Sequence, residues 1–347
     1  VGSNLAIALA GDGERDVFAL DNLHRHGSEL NLPRLAEAGV QFVRGDVREP
    51  DDLERLPRFD AIVECSAEPS VMSGAGGDTS YLVHTNLTGA YNCLELARRD
   101  GAGMVFLSTS RVYPLAALAA IRLDEQPTRF AIADEQDQKG VSAAGISEEL
   151  EMRGARTLYG TSKYAAELLI DEYRESFGLH CVIDRCGVIA GPWQMGKVDQ
   201  GVFTHWLLSH HFGQPLSYIG YGGSGKQVRD LIHIEDLIAL VREQLADLER
   251  WDGLIANVGG GPERSLSLLE TTELCRRLTG NEVEIEPVAE QRAGDVALYV
   301  SDCSRLYAHT GWRPSRSAEQ TLADIHAWIA DNEAALPQAL GMSAARN

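Results

Sequence analysis

Short, continuous apolar runs alternate with stretches of helical spacing through the first half of the chain. The runs at 17–20, 41–44, 61–64 and 104–107 read as buried strands. Between the last two, residues 81–99 carry Leu82, Leu87, Tyr91, Leu94 and Leu96 at helical spacing. Gly2-Ser3-Asn4 opens a helix-like stretch ahead of the first run. Residues 158–177 form a strong amphipathic pattern, followed by another buried strand at 181–189. Strand–helix alternation of this kind predicts an α/β fold, a Rossmann-type doubly wound parallel sheet with helices on both faces. Residues 115–156 are acidic and aperiodic, a long excursion of the kind that forms lids or binding loops. From about 190 onward the elements shorten and glycine turns multiply.

In a parallel sheet, ligands bind beyond the carboxyl ends of the strands, so the residues after each run matter most. They are Asp21-Asn22, Asp46-Val47, Cys65-Ser66-Ala67 and Ser108-Thr109-Ser110-Arg111. A helix, a buried strand and an acid about 20 residues on make the second half of a dinucleotide-binding βαβ unit. The acid takes both ribose hydroxyls and repels a 2′-phosphate, so Asp21 favours NAD over NADP. Asp46 is suited to face the adenine. Asp21-Asn22 is equally the composition of a simple turn. The expected organisation is an NAD-binding domain over 1–190 and a smaller substrate-binding lobe over 191–335, interleaved with the sheet. One strand and two glycines of the usual unit are expected ahead of Val1, which points to an incomplete start.

The sharpest chemistry lies in "STSRVY…LYGTSKYAAE". Tyr159 and Lys163 stand four apart on a helix and share a face. An ammonium beside a phenol favours the phenolate, which can take a proton from a sugar hydroxyl as hydride leaves its carbon. Thr109, ending the preceding strand, is placed to polarise the same oxygen. With ten tyrosines and four lysines in the chain the pair alone is a weak signal, and the hydroxyl cluster ending the preceding strand is what makes it specific. Its plain alternative is a lysine packed over a core tyrosine.

Composition narrows the classes. The 347 residues are 44% hydrophobic and 24% charged, an ordinary globular balance. A formal net charge of -20 repels a phosphate backbone, so no nucleic-acid partner is expected. No apolar run reaches membrane-span length and no export signal opens the chain, so no membrane partner and a cytoplasmic location are expected. Six cysteines without CxxC or His-paired spacing argue for free thiols and no metal. His233, Glu235 and Asp236 read as the start of a helix, with acids in its first turn. A pyrophosphate needs guanidinium groups, which Arg229 and Arg292 can supply; each alone is equally a surface salt bridge.

Taken in order, "ALDNL", "SAEPSV", "STSRVY" and "YGTSK" resemble the extended short-chain dehydrogenase/reductase superfamily, over nearly the whole chain. The likeness narrows to the CDP-paratose (CDP-tyvelose) 2-epimerases through "DQGVFTHW", "GSGKQVRDLIHIEDL", "SLSLLE" and "RAGDVALYVSDCSRL". The resemblance implies a nucleotide-sugar epimerase that keeps NAD bound, oxidises a sugar carbon and returns the hydride to the opposite face. It implies Tyr159 as base, Lys163 as its partner and ribose ligand, and Thr109 as the polarising hydroxyl. It implies Gly2, Asp21, Asn22, Asp46, Val47, Cys65, Ser66, Ala67 and Cys186 around the cofactor. Around the nucleotide sugar it implies Asn86, Ser110, Arg185, Gln194, Asp199, Gln200, Arg229 and Arg292. It also implies a homodimer built on the Tyr159 helix and the helix near 81–99.

Dehydratases of the superfamily carry an acid pair after the strand-end threonine. Ser110 and Arg111 stand there, which disfavours dehydration. A UDP-sugar 4-epimerase is the alternative within the class. A non-catalytic NAD-binding or scaffold protein is the alternative outside it, and the retained Thr109, Tyr159 and Lys163 argue against that.

Overall fold

The computed structural model describes residues 1–70, 79–195 and 200–341. The chain forms two compact units, each assembled from separate stretches. The first takes Val1–Val112, Arg156–Cys186 and Ile238–Ala256; the second takes Tyr113–Ala155, Gly187–Leu237 and the chain from Asn257 onward.

Parallel strands organise the first unit. Ala61–Glu64 pairs with Gly103–Thr109, which pairs with Cys181–Cys186, and the Ile255–Val258 strand follows in the sheet order. Phe18–Asp21 and Gln41–Arg44 form a separate parallel pair. These are the strands expected from the apolar runs. Continuous apolar runs go with burial on both faces: Met104, Val105 and Phe106 are all enclosed. One face receives Ala90, Leu94 and Ala97 from one helix and Ala166 and Ile170 from another, closing a core with Met104, Phe106 and Ile183.

The helix around 81–99 is interrupted. Ser80–Val83 is α-helical, His84–Thr88 is a π-turn, and Gly89–Asp100 resumes the α-helix. Leu82 and Leu87 stand five apart, one residue more than an α-turn absorbs, and the π-turn takes up the extra one. Tyr91, counted with the apolar face, is 43% exposed. The strand expected at 181–189 divides at Gly187 into Cys181–Cys186 and Val188–Ala190.

In the second unit, Val188–Ala190 and Leu298–Tyr299 run parallel to Val228–His233, and Ser265–Ser267 runs antiparallel to it. The aperiodic stretch at 115–156 is more regular than its sequence. It contains the hairpins Leu123–Glu125/Phe130–Ile132 and Val141–Ser142/Gly145–Ile146. Distant partners hold these strands: Phe130 N–H donates to Lys226 O and Ile146 N–H to Val300 O. A window of local sequence carries no trace of such partners. The Ile234–Ala246 helix begins with Glu235 and Asp236 in its first turn, as read from "HIEDL".

Candidate active site

Three side chains meet at the carboxyl end of the Gly103–Thr109 strand. The Leu158–Phe177 helix starts there because Thr157 caps it, accepting from Gly160 N–H. The start presents Tyr159, whose hydroxyl hydrogen-bonds Thr109. The Thr109 oxygen also accepts from Arg111 N–H at 3.2 Å. Burial pushes the Tyr159 phenol up; the Lys163 charge, the Thr109 hydrogen bond and Arg111 pull it down without overcoming burial. The lowering expected from the lysine alone is therefore present but outweighed. A buried phenol loses more from missing water than one ammonium returns.

Lys163 is 2% exposed. Its Nζ lies 3.4 Å from Glu64 Oε2 and 4.0 Å from the centroid of the Phe106 ring. Glu64 ends the Ala61–Glu64 strand and accepts from the Ser66 backbone at 2.8 Å and from the Ser66 hydroxyl. One turn further along the helix, Glu167 accepts from Arg185 Nη2 at 2.7 Å and from Ser108 Oγ at 2.5 Å. Positions 159, 163 and 167 thus form one inward stripe of phenol, ammonium and carboxylate. Neither Glu64 nor Glu167 was read from the sequence. An acid on an apolar strand or helix gives no sign of burial until its cation is found.

The cofactor-side residues line the same unit. The Gly2–Ala10 helix begins without a side-chain cap, and a Cβ on Gly2 would stand 3.6 Å from Cys65 Cβ. Asp21 ends its strand exposed, with Oδ1 accepting from Leu23 N–H at 2.7 Å in a tight turn where Leu23 takes φ 55. The turn read from Asp21-Asn22 is thus formed, and the Asp21 carboxylate stays exposed at the strand end. Asn22 donates to Asp46 at 2.9 Å, and Arg48 holds Asp46 through three bonds, one from its backbone and two from its guanidinium, pulling its carboxyl far below the usual range. Val47 accepts from the Asn92 amide through its carbonyl. Burial raises the Cys65 thiol to about 12; Ala67 lies half-buried two residues on. Cys186 is buried and faces Thr109 across the ladder.

This donor set fits a dinucleotide. The start of the Gly2–Ala10 helix presents backbone amides suited to a pyrophosphate, and the exposed Asp21 carboxylate at its strand end suits ribose hydroxyls. The first-unit residues assigned to the sugar differ in availability. Ser110 is half-exposed just past Thr109. Asn86 is 1% exposed and occupied: its amide bonds the Glu68 backbone twice, at 2.8 and 3.1 Å, and Ser162 Oγ. It ties the Cys65–Ser70 segment to the Tyr159 helix. Arg185 is enclosed in its pair with Glu167.

The remaining residues belong to the second unit. Arg229 donates to Asp295, Val296 O and Val228 O, each at 2.7 Å. It thereby holds the "RAGDV" segment that also carries Arg292. The charge of Arg292 adds to burial in lowering His205. Gln194 donates to Ile189 O and accepts from Thr204. Gln200 is half-buried ahead of the Val202–His211 helix, and Asp199 lies outside the described residues.

Residues 1–259 match the sequence profile of the NAD dependent epimerase/dehydratase family. The chain is 29% identical over 341 residues to a CDP-paratose 2-epimerase of Salmonella typhi, covering 94% of this chain and 96% of that one. It is 28% identical over 340 residues to a dTDP-glucose 4,6-dehydratase of Mycolicibacterium smegmatis, covering 96% and 91%. Among solved structures it is similar to the UDP-glucose 4-epimerase of Thermus thermophilus in complex with NAD. That likeness has a TM-score of 0.73 and 25% identity over 95% of each chain.

Proposed function

The chain belongs to the NAD dependent epimerase/dehydratase family, and from that premise we propose that it is a nucleotide-sugar epimerase with the chemistry of a CDP-paratose (CDP-tyvelose) 2-epimerase. NAD is the cofactor, bound by the first unit; the second unit binds the sugar nucleotide, with Arg229 and Arg292 toward its diphosphate. Bound NAD supplies a hydride acceptor that gives the same hydride back.

The chain's own groups do the proton work. Tyr159, as phenolate, takes the proton of the sugar hydroxyl while the hydrogen on the same carbon leaves with its electron pair as hydride, so a carbonyl forms at that carbon. Lys163 stabilises the phenolate, and Thr109 holds the reacting oxygens in line. On return of the hydride to the other face, the phenol gives the proton back and the epimer results.

The observation that carries this reading is the Thr109–Tyr159 hydrogen bond with Lys163 on the same helix face, followed by Ser110 and Arg111 rather than by carboxylates. Dehydration needs an acid and a base for neighbouring carbons, and Ser110 and Arg111 supply neither. The test is turnover of a panel of CDP-, UDP- and dTDP-sugars in deuterium oxide. Epimerisation of a CDP-deoxyhexose at C2, with no deuterium at that carbon, supports the reading. Turnover of UDP-sugars at C4 alone would move the assignment to a 4-epimerase, and deuterium at the inverted carbon would replace hydride return by enolisation.

A homodimer in the cytoplasm is part of the same proposal. Tyr91 and Leu168 are exposed apolar side chains, and they line a shallow surface groove with Leu87, Ala165 and Leu169. Such a face is suited to a second copy.

A further inference from the structure

We propose that Glu64 is a positioning residue of the reaction, the counter-charge that holds Lys163 protonated and in register beneath Tyr159. The proposal rests on Tyr159 and Lys163 acting as described above.

Each carboxylate oxygen of Glu64 has its own task. Oε2 lies 3.4 Å from Lys163 Nζ, while Oε1 accepts from the backbone and hydroxyl of Ser66. Both side chains of the ion pair are almost fully enclosed, at 2% and 3% exposure. The ammonium also lies over the Phe106 ring face, which attracts a cation but takes no proton. The pair also acts on the thiols of Cys65 and Cys93, both of which burial raises. On the catalytic side, Tyr159 faces Arg111 and Cys186 besides Lys163. Glu64 is thus the one negative charge in contact with the lysine among the described residues. A buried ammonium without such a partner sheds its proton easily. Through Ser66 the same carboxylate fastens the cofactor-side segment to the catalytic helix.

The chain has four lysines, Lys139, Lys163, Lys197 and Lys226, so protein labelled with carbon-13 at lysine Cε shows four resonances. Lys163→Met assigns the one that matters. Glu64→Gln keeps an acceptor for Ser66 and removes the charge. In that variant the Lys163 resonance turns over at lower pH than in the parent, and the alkaline limb of kcat retreats with it. A titration that superimposes on the parent's overturns the proposal, and so does a kcat that falls with its alkaline limb unmoved, which marks a purely structural tie. Should Glu64→Gln not fold, Glu64→Asp decides. Its carboxylate stands further off, so the midpoint moves the same way by less, and an unmoved midpoint refutes the idea. The titration needs no substrate. If no nucleotide sugar is turned over yet the resonance moves, the electrostatic role stands and the proposed reaction falls.

Discussion

The carbonyl of Arg111 lies against the backbone of Gly160, so close that a Cβ on Gly160 would stand 2.0 Å from its oxygen. No flexible side chain is available to yield there; backbone meets backbone. The Tyr159 helix is therefore docked directly on the turn that follows Thr109. Gly160→Ala must push the two apart by a sizeable fraction of an ångström or more. A misplacement of about 1 Å costs on the order of 100-fold in rate. We expect kcat for epimerisation to fall by about that factor while the far-ultraviolet circular dichroism stays that of the parent. A variant with parental kcat would show that the contact does not set the geometry.

Tyr159 and Thr109 separate in a pH profile. Burial raises the phenol and the base must be ionised, so activity is expected to rise with pH along an acid limb. On the proposed mechanism Tyr159→Phe removes the base and should lower kcat by roughly 100- to 10,000-fold across that range. Thr109→Val removes a hydrogen bond that favours the phenolate, so its acid limb should move to higher pH. An unmoved limb in Thr109→Val would remove Thr109 from the proton transfer.

Asp184 sets a pH dependence of stability rather than of catalysis. It is fully buried, accepts from Gln244 Nε2 at 2.9 Å, and its Oδ2 and the Gln244 Oε1 are both without a hydrogen-bond partner. Burial raises its carboxyl from 3.8 to about 7. A protonated Asp184 can return a hydrogen bond to the Gln244 oxygen and complete an acid–amide pair. The folded chain then holds a proton that the unfolded chain has lost between about pH 4 and pH 7. Stability from this group is full below that window and is lost as pH rises through it, on the order of a few kcal/mol in all. Urea unfolding at pH 5 and pH 8 should show this loss in the parent and a flatter profile in Asp184→Asn. A parent that is no weaker at pH 8, once other groups are matched, would contradict the neutral acid.

Arg185 and Glu167 test what a buried pair is worth. Removing one partner strands the other charge, which costs about 3–5 kcal/mol; removing both costs far less. Arg185→Met should therefore unfold at much lower urea than the parent, and Arg185→Met with Glu167→Leu should recover most of the difference. No recovery in the double variant would mean that the loss comes from packing around Arg185 rather than from a stranded charge.

Local sequence determined the strands of the apolar runs, the Tyr159 helix and the residues at those strand ends, because burial period is a property of neighbouring residues. Tyr159 and Lys163 were legible for the same reason: four apart on a helix is a local spacing. Thr109 followed from its place at the end of an apolar run. What only the tertiary structure decided depends on partners far along the chain. Glu64 meets Lys163 across 99 residues, and Asn86 meets Ser162 across 76. Arg229 turns inward to Asp295, 66 residues on. The balance that leaves the Tyr159 phenol raised belongs here too, since desolvation is set by everything packed around the hydroxyl and not by the lysine one turn away.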